Sequence, residues 1–158
     1  MWSMVVVAMM AGLVGYYIMP AQRSIVVMED MKARELADNM GIYRAAVVDY
    51  FSANPHLLNT SVPIGTLTLP DWSTGSAMSL WANYRGGDGT IYIYPTDLPP
   101  VNIVFDVLQL SRGSYSVGVY RAADNSLYSP VDGTRVTYAA LGSVSVPDGA
   151  PVWLAARK

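Results

Sequence analysis

The sequence predicts an α+β fold: an N-terminal transmembrane helix, a long amphipathic helix packed on an antiparallel sheet, and a short second helix. Three observations predict it. No side chain is charged before Arg23. An apolar stripe then recurs at helical spacing through Leu36, Met40, Tyr43, Val47 and Tyr50. After Pro55 the pattern changes to short alternating runs separated by Gly, Pro, Asn and Asp. The expected divisions are 1–22 as anchor, 23–55 as amphipathic helix and 56–158 as sheet domain, with the short helix near 100–111.

The anchor comes first. Trp2, Met4, Val5, Val6, Val7, Met9, Met10, Leu13, Val14, Ile18 and Met19 crowd residues 1–22. Wound at about 1.5 Å per residue, this length covers the roughly 30 Å hydrocarbon core of a bilayer. A cleavable signal peptide needs a basic start, a shorter apolar run and small residues before the cut. The start here carries no Lys or Arg, and Tyr16 to Pro20 is bulky. Trp2, Tyr16 and Tyr17 suit the two interfacial belts. Pro20 predicts a kink or break, because proline removes a donor and disfavours helical geometry at Met19.

The amphipathic helix follows, over about 23–53. Its stripe advances by 4, 3, 4 and 3 residues, with Met28 and Met31 in similar steps above it, and Glu29, Lys32, Arg34, Glu35, Asp38 and Arg44 fill other positions. Asn54-Pro55 ends it. Gly41 is a weak point costing about 1 kcal/mol relative to Ala. The stripe has two readings. It buries itself on the chain's own sheet, or Leu36, Met40, Tyr43 and Val47 form a candidate partner-helix face for another subunit.

The sheet region is read in order. Residues 62–69 alternate and stop at Pro70. Residues 77–84 alternate, a Gly-rich turn at 85–89 follows, and 90–94 alternate again, which is a hairpin signal. Val101, Val104, Phe105 and Leu108 keep helical spacing behind Pro99-Pro100, so a helix is expected at about 100–111, with a strand over 103–110 as the competing reading. Further strands are expected at 114–121, 126–129, 135–138, 143–146 and 152–156. Trp81 and Trp153 lie in strands and are expected in the core. Trp72, in a Pro-Asp-Trp-Ser loop, is the candidate interaction residue, since aromatic side chains are enriched at interfaces.

Composition narrows the function. Charged residues make up 14% and the formal charge is −2. No basic stripe is present, which argues against nucleic-acid binding. Without cysteine there is no thiol catalysis, disulfide or thiolate metal site. The sole histidine, His56, has no nearby residues at ligand or triad spacing and reads as a loop residue. The Gly86-Gly87-Asp88-Gly89 run lacks the Lys-Ser/Thr of a phosphate loop. No catalytic residue, cofactor or metal site is therefore assigned. Charge placement and composition oppose each other on membrane orientation. Arg23, Lys32 and Arg34 place the domain on the cytoplasmic side, whereas its low charge and its Tyr, Ser and Thr content favour an external domain.

An apolar helix running past a proline into an amphipathic helix and then a sheet resembles type IV pilins and pseudopilins. The chain departs from them in having no basic leader and no acidic residue before Glu29. The fuller resemblance is to the PilM family of conjugative thin-pilus (type IVB) systems. It covers the whole length: the anchor, the helix around 29–51, and a tail that runs through Gly113-Ser114-Tyr115-Ser116-Val117-Gly118-Val119-Tyr120 and Val146-Pro147-Asp148-Gly149-Ala150-Pro151-Val152. These are not the actin-like, nucleotide-binding proteins that share the name, for which this chain lacks the length and phosphate loops. The resemblance implies a non-enzymatic component of pilus biogenesis or pilin transport in conjugation. Expected partners are other pilus or secretion proteins and the lipid bilayer, with oligomers allowed. The expected location is the bacterial inner membrane, single-pass, with the C-terminal domain periplasmic. A minor pilin and an envelope-bound enzyme of unknown type are the alternatives.

Overall fold

The computed structural model describes residues 2–73 and 76–155, with side chains described for 27–73 and 78–155. One helix, α1, runs over Trp2–Ala53. Its assignment continues through Pro20, where the sequence predicted a kink or break. Proline removes a single donor, and the turns on both sides carry on. The anchor expected over 1–22 rests on side chains outside the described residues. Among the described residues no helix is long and apolar enough to cross a membrane. The chain falls into two units, Met1–Lys32 and Ala33–Lys158. In the first, Val27, Met28 and Met31 are exposed.

The second unit holds the sheet. Its strands are β1 (Trp81–Arg85), β2 (Ile91–Pro95), β3 (Val117–Arg121), β4 (Ser126–Tyr128), β5 (Arg135–Thr137) and β6 (Pro151–Ala155). Their spatial order is β1-β2-β6-β3-β4-β5, with every pair antiparallel. The last strand thus inserts in the middle, with Trp153 opposite Ile93 of β2 and Val117 of β3. The second helix, α2, spans Val104–Leu110.

Alternation sorts the strands onto two faces. One face contributes Trp81, Ile91, Ile93, Val117, Trp153 and Ala155 to a core with Leu36, Met40, Tyr43, Val47 and Phe51 of α1 and Val107 of α2. The opposite face contributes Tyr92, Tyr94, Tyr120, Leu127 and Val152 to a second core, closed by Leu141, Val146 and Ala150. Strand β2 is buried along its whole length because both faces are covered.

The 85–89 hairpin forms as expected, with the Gly86 N–H donating to Thr90 and Gly89 at φ 83°. Several local expectations change; the strand expected from 114, for one, starts at Val117. Residues 62–69 form no strand; Ile64–Thr66 is a short 3-10 helix instead. Pro63 has no amide donor to give a ladder, and Thr66 and Leu67 bond back to Pro63 and Ile64. The run expected to begin a strand at 77 is a 3-10 helix, Ser76–Leu80, and β1 starts at Trp81. Helix α2 starts at Val104 and not near 100, because the Val104 N–H donates to the Asn102 side chain two residues back. Residues 143–146 form no strand; the 3-10 helix Ala139–Ser143 carries Leu141 into the second core, and the extended segment after it carries Val146 there.

Two polar side chains lock α1 to the sheet. Asn83 is buried on β1. Its amide donates to the Tyr43 hydroxyl (2.7 Å) and the Val62 carbonyl (2.8 Å), and its oxygen accepts from the Val62 N–H (3.0 Å). Arg85 donates through Nη1 to the carbonyls of Phe51 and Asn54, each at 3.3 Å, and stacks on the Phe51 ring. This cation adds a donor to carbonyls at the end of α1, where the Asn54 carbonyl also accepts from the Leu57 N–H.

Candidate functional site

The site is built where α1, the end of α2 and the central strand converge. Arg44 of α1 places its guanidinium carbon 4.8 Å from the centre of the Trp153 ring, within cation–π range. Beside this pair opens a cavity of about 510 Å³. Leu110, Ser111, Arg112, Ser114 and Ser116 line it from the α2 exit, and Thr90, Tyr138 and Leu154 from the sheet side.

Local bonding shapes that exit. Arg112 and Gly113 take left-handed φ values of 58° and 67°, reversing the chain after α2. The Val107, Leu108 and Gln109 carbonyls accept from the N–H groups of Ser111, Gly113 and Arg112, so the helix end contributes few free acceptors. Ser114 Oγ accepts from the Ser116 N–H, which leaves its own O–H able to donate.

Burial lowers the pKa of Arg44 from the ordinary arginine value, because desolvation penalises the cation. Its Nε is buried with no hydrogen-bond partner among the described residues. Among the described residues no carboxylate lines the cavity. Asp88 lies beside it in the hairpin turn, where it accepts from the Thr90 N–H (3.0 Å) and hydroxyl (2.7 Å). The cavity is therefore positive, donor-rich and partly apolar.

The residues singled out from sequence lie elsewhere. Met40, Tyr43 and Val47 are completely or almost completely buried and Leu36 nearly so, so the second unit's own sheet takes the surface that a partner helix would need. Trp72 sits on the short 3-10 helix Asp71–Ser73 and is 76% exposed. Trp81 and Trp153 are buried, as expected. His56 is exposed in the loop after α1. Among the described residues no group of three or more His, Asp or Glu could hold a metal. Sequence reasoning missed Arg44, which looked like one more charge on the polar side of a helix. Its meaning depends on Trp153, from the far end of the chain, and no periodic signal joins the two.

The sequence model of the PilM family matches residues 7–154. No curated protein and no solved structure matches the chain.

Proposed function

The chain belongs to the PilM family of pilus biogenesis, and from that premise we propose that it is a non-enzymatic, membrane-anchored scaffold of a conjugative thin-pilus apparatus. The match over 7–154 carries this reading. The uncharged opening of the sequence supports the anchor: residues 1–22 have the length and apolarity of a single span. An anchored domain is confined to the membrane plane, which raises its effective concentration toward neighbouring components. Other pilus apparatus proteins are its partners. The sheet domain works in the periplasm, and the anchor holds it at the inner membrane.

Deleting the gene tests the role. Pili and conjugation should be lost and should return when the gene is restored; normal pili in the deletion strain would sink the reading. A periplasm-only reporter fused to the C-terminus tests the orientation, and a silent reporter on a stably expressed fusion reverses it. The long helix against an antiparallel sheet also suits a minor pilin. Mass spectrometry of the N-terminus separates the two, because a pilin is processed and a scaffold keeps its uncut segment.

A further inference from the structure

We propose that the cavity over Arg44 and Trp153 binds the carboxylate of an acidic segment on a partner protein. The inference deepens the scaffold reading and rests on it for the source of that segment. Among the described residues two arginines, Arg44 and Arg112, line the cavity and no carboxylate does. Arg44 is half-buried, its guanidinium lies over the Trp153 ring, and its Nε lacks a partner among the described residues. A cation desolvated without a counter-ion is unfavourable, and an incoming anion offsets that cost. The guanidinium fork pairs two donors with the two oxygens of a carboxylate. The Ser114 and Ser116 hydroxyls supply further donors on the same wall.

Size and lining favour a peptide over a free ion. About 510 Å³ is far more than one carboxylate needs. Leu110, Leu154 and the Trp153 ring offer apolar surface for the side chain's stem and for its neighbours. A hydrated phosphate would leave those walls unused. Asp88 lies outside the lining and accepts from the Thr90 N–H and hydroxyl.

The test is a titration of the full chain in a neutral detergent with a labelled, capped peptide of sequence Ser-Leu-Glu-Leu-Ser, read by fluorescence anisotropy. The peptide should bind, and Arg44→Gln should weaken it at least tenfold. Replacing the peptide's Glu by Gln should do the same. Arg121→Gln removes an equal charge at an exposed position outside the cavity and should change affinity less than twofold. If Arg44→Gln fails to fold by circular dichroism, Arg112→Gln serves instead, and a loss of threefold or more is expected at that exposed residue. Equal binding of the Glu and Gln peptides overturns the proposal. So does an equal loss in the Arg44 and Arg121 variants. Binding of inorganic phosphate or phosphatidylglycerol vesicles that depends on Arg44, with no peptide binding, overturns it in favour of a phosphate ligand. The titration does not depend on pilus phenotype, so it and the deletion experiment can fail separately.

Discussion

At the scale of single residues, Asn83 does the work of a missing strand. The backbone of Val62 is buried, and its N–H and carbonyl both find the Asn83 amide in place of a neighbouring ladder. The same side chain reaches the Tyr43 hydroxyl on α1. Removing it leaves three buried polar groups without partners. Each buried hydrogen bond contributes about 0.5–1.5 kcal/mol net, and stranded groups add a desolvation cost. Asn83→Ala should therefore lower stability by about 2–4 kcal/mol. Urea unfolding followed by circular dichroism measures it, and a loss below about 0.5 kcal/mol would show that water or repacking satisfies the three groups. Asn83→Asp should be damaging too, because its carboxylate keeps the bond from the Val62 N–H and loses both donated ones. None of this was legible in the sequence. Asn83 shows there only as a polar residue within an alternating run, and its partners, Tyr43 and Val62, lie far from it in the chain.

At the scale of elements, two glycines make opposite predictions. Gly41 sits inside α1, where a Cβ would lie 3.8 Å from the Trp153 ring and 4.0 Å from Leu110, both ordinary contacts. Glycine's backbone entropy is thus lost with no steric need for it. Gly41→Ala should stabilise the fold by about 0.5–1 kcal/mol, read as a higher urea midpoint. Gly118 on β3 is different. A Cβ there would lie 3.0 Å from the Leu127 Cβ and 3.2 Å from the Tyr128 carbonyl oxygen on β4. The close approach is to atoms of a paired strand that cannot swing aside. Gly118→Ala should cost about 1–3 kcal/mol; an unchanged midpoint would mean that β4 moves freely against β3. Element existence was largely legible, because helical spacing around Leu36–Val47 and alternation around the Gly86–Gly89 turn depend on neighbours in the chain. The failures fall where side chains compete for the backbone. Pro63 interrupts 62–69, and Asn102 delays α2.

At the scale of the molecule, the sheet has two cores and not one. Stripe residues announce the first, since α1 must bury Met40, Tyr43 and Val47 somewhere. The second core was hidden because Leu141 reaches it from a short 3-10 helix and Val146 and Ala150 from irregular segments, where no periodicity marks a buried face. It is also unusual chemically, being rich in tyrosine. Burial raises Tyr92 to about 12, helped by the negative charge of Asp88 and by neighbouring tyrosines. Burial likewise raises Tyr94 to about 12, with Tyr43 and Tyr84 adding to it. In the unfolded chain both would titrate near 10.0. The folded state therefore holds these protons more tightly. Its advantage is complete below pH 10, shrinks as the pH climbs from 10 to 12, and is gone above that. Urea midpoints measured at about pH 9 and about pH 11.5 should fall steeply between the two, with tyrosinate absorbance appearing together with unfolding. A Tyr92→Phe, Tyr94→Phe double variant should lose markedly less stability over that interval, since Phe carries no proton to release. If the double variant and the parent decline in parallel, the alkaline transition belongs to groups outside the second core.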